Sequence, residues 1–271
     1  MNLDTVTDVK RPASLDEVGP WRDGYSWLAG GTWLFSEPQV DVNTLIDLPS
    51  LGWTPLGVTD KGLDIAATCR IVELCEFKGP SEWRAVPLFR QCIDAFLMSF
   101  KIWNAATVGG NIVMSLPAGA MISLTAALEG VCTLWPLDGA PREVPVVDFV
   151  TGNHQNVLQK GELLRSIHLP ARALSKRYAM RQISLTKLGR SAALLIGTVG
   201  DKGEDFLLTV SAATPRPVQL RFGSLPPADE LQKALDEKLP PDAYFEDVHG
   251  SASYKRHVTY YLAEQIRAEL A

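Results

Sequence analysis

The sequence is short of the side chains that hold metals. Its 271 residues include four cysteines and four histidines. Cys69, Cys75, Cys92 and Cys132 form no C-x-x-C pair, and they read as buried or half-buried thiols rather than cluster ligands. His154, His168, His249 and His257 are scattered, so no metal centre is expected on this chain. There is no long basic run and the net charge is −5, which argues against nucleic acid as a partner. The apolar runs fall short of the roughly 18 residues a membrane span needs. The polar start, Met1 to Thr5, lacks a charged-then-apolar signal pattern, so a cytoplasmic protein with no membrane partner is expected. Two phosphate-binding fingerprints are missing as well: the Rossmann G-x-G-x-x-G and the Walker A pattern. No Ser-His-Asp or Cys-His set stands out as a catalytic constellation, and no catalytic residue is assigned.

What is present is ordinary globular material, 46% hydrophobic and 21% charged, enough for one large domain or two modest ones. Strand and helix signals alternate early. Tyr25 to Ala29 reads as a strand, Thr32 to Ser36 as the start of a helix, and Thr44 to Leu48 as a second strand, together a small β-α-β unit. Gly62 to Ala67 is a further strand, and Thr68 is placed to cap a helix over Cys69 to Phe77. Helical spacing runs from Pro87 to Phe100 and from Met121 to Leu128, the latter in a helix that opens near Pro117, with a strand from Gly130 to Leu134. Leu163 to Leu169 alternates apolar and polar. Beyond it come β-rich runs at Ala192 to Val199, Phe206 to Ser211 and Val218 to Phe222. Helices over Pro227 to Leu235 and Ser251 to Leu270 close the chain. A domain boundary is expected near 171, giving units 1–171 and 172–271.

Two glycine motifs carry the chemistry. The first is Leu28-Ala29-Gly30-Gly31-Thr32-Trp33-Leu34, the second Ala106-Thr107-Val108-Gly109-Gly110-Asn111-Ile112. Glycine lets backbone N–H groups approach phosphate oxygens with no side chain in the way. Taken singly, a Gly-Gly pair is more often a plain turn. Two of them, each beside a threonine and after a strand-like run, point to the pyrophosphate of a dinucleotide, with Asn111 able to fix the second turn.

These motifs resemble the two flavin-binding signatures of the FAD-binding medium subunit of molybdenum hydroxylases, the xanthine dehydrogenase and carbon monoxide dehydrogenase type. Lys10-Arg11-Pro12-Ala13-Ser14-Leu15, Leu163 to Pro170 and Gly250 to His257 resemble further family segments in the same order. The resemblance implies an α+β fold: a vanillyl-alcohol-oxidase-like (PCMH-type) FAD-binding domain of two α/β subdomains, followed by a small C-terminal α+β domain with a three-stranded antiparallel sheet. It implies FAD on this chain, with molybdopterin on a large partner subunit and [2Fe–2S] clusters on a small one. It also implies an external electron acceptor such as NAD, and assembly as paired heterotrimers.

The same resemblance assigns the FAD-binding residues. Leu28, Ala29, Gly30, Gly31, Thr32, Trp33 and Leu34 would wrap the diphosphate, Trp33 standing in the loop as a shield or a ring to lean on. Thr107, Gly109, Gly110 and Asn111 would form the second wall. Leu164 would touch the cofactor through its backbone, and Arg181 would stand near the flavin ring. Four positions depart from the family pattern, one of them Met114, which opens the run after Gly-Gly-Asn where members often have a threonine or serine. Trp33 replaces a common acid, Ala120 replaces an aspartate that bonds the cofactor's sugar chain, and Leu97 replaces an aromatic, with Phe96 beside it. The alternative is a scaffold subunit that has kept the fold and lost FAD. A weaker third reading, a stand-alone flavin oxidase or reductase, is opposed by the segment from Gly250.

Overall fold

A computed structural model describes residues 3–271. Met1 and Asn2, the start of the polar N-terminal reading, lie outside the described residues. The first unit is a parallel three-stranded sheet of β1 (Asp8–Lys10), β2 (Tyr25–Leu28) and β3 (Thr44–Asp47), in the order β1-β3-β2. Tyr25 pairs with Thr44 and Leu28 with Asp47, so β2 ends level with β3 and releases the first glycine motif at the sheet's edge.

The chain continues through β4 (Leu56–Thr59), β5 (Gly62–Ala66) and the helices α1 (Ile71–Cys75), α2 (Val86–Ala95), α3 (Phe100–Trp103), α4 (Val108–Met114) and α5 (Ala120–Ala127). It then forms β6 (Val131–Trp135), β7 (Arg142–Pro145), α6 (Val146–Phe149), β8 (Val150–Gly152), β9 (Gln155–Asn156) and β10 (Leu163–Pro170). Five of these strands make a sheet in the order β4-β5-β10-β6-β7. Leu63, Ile65, Ile167 and Leu169 project from its core face, as period-2 alternation dictates. Every residue of α5 is buried, which is why it reads apolar all round.

After α7 (Ala171–Leu174) come β11 (Arg177–Ser184), β12 (Ser191–Val199), β13 (Glu204–Ser211) and β14 (Val218–Ser224), an antiparallel meander, then α8 (Ala228–Lys238) and α9 (Ala252–Leu270). The meander has four strands, not the three expected. The extra one is β11, in which Arg177, Arg181 and Gln182 blur the alternation of apolar and polar residues. β12 is buried along its whole length because both its faces are covered. Leu194 and Ile196 join the core shared with α5, while Leu195 and Val199 join the one closed by α9. Ser251 opens α9 as expected, its hydroxyl accepting from the Tyr254 N–H at 3.2 Å.

Three local expectations are corrected. Thr32 to Ser36 is a series of turns, so β2 and β3 are parallel without a helix between them. Thr68 caps nothing: α1 starts at Ile71 because the preceding backbone is tied to the second glycine motif. Ile71 N donates to Ala106 O at 2.9 Å and Val108 N to Cys69 O at 2.9 Å, and Arg70 takes the cap position with Glu73. Finally, α2 stops at Ala95, where Phe96 turns extended and its side chain joins the wall of a hollow.

Candidate functional site

The two glycine motifs meet. A methyl group built on Gly30 would stand 2.7 Å from the Ala105 carbonyl carbon and 3.1 Å from Ala106 Cα, so only glycine lets β2's exit lie against the second motif. Between them is a hollow of about 330 Å³. Leu28, Ala29, Gly30, Gly31, Thr32, Trp33 and Leu34 line one side, and Thr107, Gly109, Gly110, Asn111 and Leu164 line the other. Trp33 stands at the wall rather than across it. The residue is 38% exposed and its ring centre is 6.1 Å from that of His154.

The motifs differ in their free donors. Among the described residues no acceptor takes the N–H groups of Gly30, Gly31, Thr32, Trp33 or Leu34, although Gly31 O and Trp33 O accept from Phe35 and Ser36. Gly31 sits at φ +68, the left-handed turn that keeps this segment from closing into a helix. Of the amides from Gly30 onward these turns engage those of Phe35 and Ser36, where a helix opening at Thr32 would also begin. The turn leaves a row of them for an anion.

The second motif is a helix start, not a loop. Thr107 caps α4, its hydroxyl accepting from Gly110 N at 3.0 Å, and Gly109 N is bonded to Ala67 O at 3.1 Å. The glycines here serve packing: a methyl on Gly109 would be 2.5 Å from Ala67 Cβ. What this wall offers a ligand is side-chain chemistry. The Thr107 hydroxyl keeps its own hydrogen to donate. Asn111 Oδ1 accepts from Met121 N at 3.1 Å, tying α4 to α5, while its amide nitrogen has no acceptor among the described residues.

Arg181 is elsewhere. It does not line the hollow; its guanidinium pairs with Glu269 on α9 and donates to Met180 O at 2.9 Å. Ala120 is buried at the start of α5, among residues with no exposed face for a carboxylate. Leu97 is exposed while Phe96 and Met98 line the hollow, so the aromatic at this wall is Phe96.

The sequence reading missed the group that holds the far wall. Glu162 takes Arg142 Nε at 2.8 Å and Arg142 Nη2 at 2.7 Å, and accepts from Gln159 N at 3.0 Å. Arg142 also donates to Val157 O at 2.8 Å. Burial pushes the Glu162 carboxyl up, but the Arg142 guanidinium and the Gln159 amide more than offset this and hold it below its ordinary value. The clamp fixes the turn from 157 to 163, and with it Leu158 and Leu163, which line the hollow. Nothing local to Glu162 signals this, since its partner is Arg142 on β7 and not the neighbouring Lys160 or Arg165.

The cysteines are structural. Burial pushes the Cys69 and Cys132 thiols up to about 12, and Cys92 is raised by the same cause. Among the described residues no group of three metal-ligating side chains comes together. No described helix is long and apolar enough to cross a membrane.

Comparison with known proteins agrees with this geometry. The family described as the FAD binding domain in molybdopterin dehydrogenase matches residues 5–172. The carbon monoxide dehydrogenase medium chain of Hydrogenophaga pseudoflava is 23% identical over 244 residues, covering 86% of this chain and 82% of that one. Among solved structures, quinoline 2-oxidoreductase from Pseudomonas putida 86 superposes with a TM-score of 0.78 at 18% identity, covering 97% of this chain and 95% of its own. A Hydrogenophaga pseudoflava carbon monoxide dehydrogenase lacking the Mo-pyranopterin moiety also superposes with a TM-score of 0.78, at 19% identity over 96% of each chain. The PCMH-type α+β architecture is therefore this chain's fold.

Proposed function

The chain belongs to the family of FAD-binding domains of molybdopterin dehydrogenases, and from that premise we propose that it is the electron-transfer flavoprotein chain of such a complex, with FAD held in the hollow between the two glycine motifs. One observation carries the reading: the hollow is lined by five successive residues, Gly30 to Leu34, whose amides have no acceptor among the described residues, and by Thr107 and Asn111, whose side chains still have hydrogens to donate. That donor set suits a diphosphate, which presents only acceptors. Leu164, Phe96 and Trp33 give the ring systems apolar surface.

Bound FAD would supply the redox chemistry, taking electrons from [2Fe–2S] clusters on a small partner chain, fed by molybdopterin on a large one, and giving them to an acceptor such as NAD. This chain's own residues do three things. The first motif holds the diphosphate without a cation, because N–H dipoles share its charge. Glu162 and Arg142 fix the far wall. The apolar lining excludes water, which strengthens each polar contact inside. The division into units 1–171 and 172–271 belongs to the same proposal, supported by an apolar core drawn wholly from Ala179 to Leu270, while Leu194, Ile196 and Ala212 tie the second unit to the first. Arg181 keeps a role at the ring only by leaving Glu269.

A scaffold that no longer holds FAD is the second reading, and the buried Ala120, with no carboxylate for the cofactor's sugar chain, favours it. The visible spectrum of the purified protein separates the two. Bands near about 370 and about 450 nm are expected for oxidised flavin. Colourless protein that takes up no added FAD overturns the first reading.

A further inference from the structure

The strand that lines the hollow with Leu164 turns its next side chain away. A β-bulge lies between Leu164 and Ser166 where β10 meets β6, and Arg165 occupies it. Its guanidinium carbon stands 4.3 Å from the Trp53 ring centre and 5.1 Å from that of Trp135. The two indoles are 6.0 Å apart at 79°, so the cation is gripped between two aromatic walls. None of the three lines the hollow.

This cation has no anion. Asp64, the acid whose charge it feels, spends its Oδ1 on His168 Nδ1 at 2.8 Å, and among the described residues no carboxylate forms an ion pair with Arg165. Its Nε is buried with no hydrogen-bond partner. Burial pulls its pKa down, which Asp64 offsets only in part. An unpaired, half-buried guanidinium is costly to a fold unless something outside completes it. A chain of net charge −5 has acids enough to pair it internally, yet none is placed there.

We propose that Trp53, Arg165 and Trp135 form a docking point for an acidic side chain of a partner subunit. This rests on the reading of the chain as one component of a multisubunit dehydrogenase. The partner is a protein rather than a small carboxylate because the three side chains are half-buried and lie outside the hollow. Tryptophan and arginine are also the residues that concentrate binding energy at protein interfaces. The stacked guanidinium presents its remaining donors in the planar fork that carboxylates fit.

The test reconstitutes the complex from this chain and its iron–sulfur and molybdenum chains and measures assembly by sedimentation at several salt concentrations. Arg165→Glu is expected to weaken assembly at least about tenfold, while the FAD content of the isolated chain stays at the wild-type value. Arg165→Gln keeps a planar group with two N–H donors and removes the charge, so it serves if the glutamate variant misfolds; it is expected to flatten the salt dependence. Wild-type assembly by both variants overturns the proposal. So does a change in Trp53 and Trp135 fluorescence produced by succinate alone, which would mark a small-carboxylate site. Wild-type chain that binds FAD yet assembles with neither partner also overturns it, and leaves the flavin reading standing.

Discussion

Gly30 lies directly on the backbone of Ala105, and that contact joins the two glycine motifs into one site. A methyl at Gly30 meets backbone atoms that cannot rotate away. Gly30→Ala is therefore expected to separate the motifs: FAD retention is lost and the melting temperature falls. Gly109→Ala, whose methyl would meet Ala67 Cβ at 2.5 Å, is expected to cost about 3 kcal/mol. Urea melts compared with wild type check both, and an unchanged midpoint for either would place the glycine in a looser setting.

Gly31 makes a contrasting case. Its φ of +68 penalises any L side chain, but the atoms nearest a methyl there belong to the Phe35 ring, which can swing aside. Gly31→Ala should cost about 1 to 2 kcal/mol of stability from the backbone alone. It should also weaken FAD binding, because the amide row loses its shape. The measurements are a urea melt and a flavin fluorescence titration on the same preparation.

A charge placed at the second motif probes the anion directly. Gly110 lines the hollow beside Thr107. Gly110→Asp brings a carboxylate towards the ligand's diphosphate and competes for the Thr107 hydroxyl. Purified Gly110→Asp protein is expected to be colourless with a wild-type far-UV circular dichroism spectrum. Retained flavin would show that the phosphates lie away from α4.

Much of this site was legible from residue types, for stated reasons. The strands β10, β12, β13 and β14 announced themselves by alternation or β-branched runs, and α9 by its serine cap and apolar spacing. Both motifs were visible because glycine pairs beside threonine are locally distinctive. What was hidden depends on distant partners. The start of α1 is set by bonds to Ala106 and Val108, and the end of α2 by Phe96 entering the hollow. The unequal duties of the two glycine pairs follow from Ala67 O occupying the Gly109 amide. Arg181 was placed by resemblance, and its partner Glu269 lies at the far end of the chain.

The clamp behind the hollow gives a prediction about position rather than contact. Glu162→Gln keeps the volume and removes the charge that Arg142 and Gln159 N address. FAD affinity is expected to fall several-fold as Leu158 and Leu163 loosen, while the flavin spectrum of the bound fraction stays unchanged. A wild-type affinity would mean the turn holds itself.

Acid should unfasten the two halves of the molecule at one cluster. Glu129, at the end of α5, meets Arg172 at 2.8 Å, Lys176 at 3.1 Å and Arg221 at 2.5 Å, and Asp205 on β13 meets Lys176 at 2.6 Å and Arg221 at 2.5 Å. Burial pushes both carboxyls up, but the arginine and lysine partners more than offset it, so both titrate below their ordinary values of 4.5 and 3.8. A depressed carboxyl favours the fold wherever the unfolded chain is already ionised. Its contribution is full above about pH 4.5 and disappears as the pH falls through the lowered folded values. Removing one partner strands the others. Glu129→Ala is expected to cost about 3 kcal/mol near neutrality, whereas Glu129→Gln with Lys176→Met should lose less. Both variants should show a flatter fall in melting temperature between pH 6 and pH 3 than the wild type, a window that spans those ordinary values. Parallel wild-type and variant curves would assign the acid sensitivity to other carboxylates.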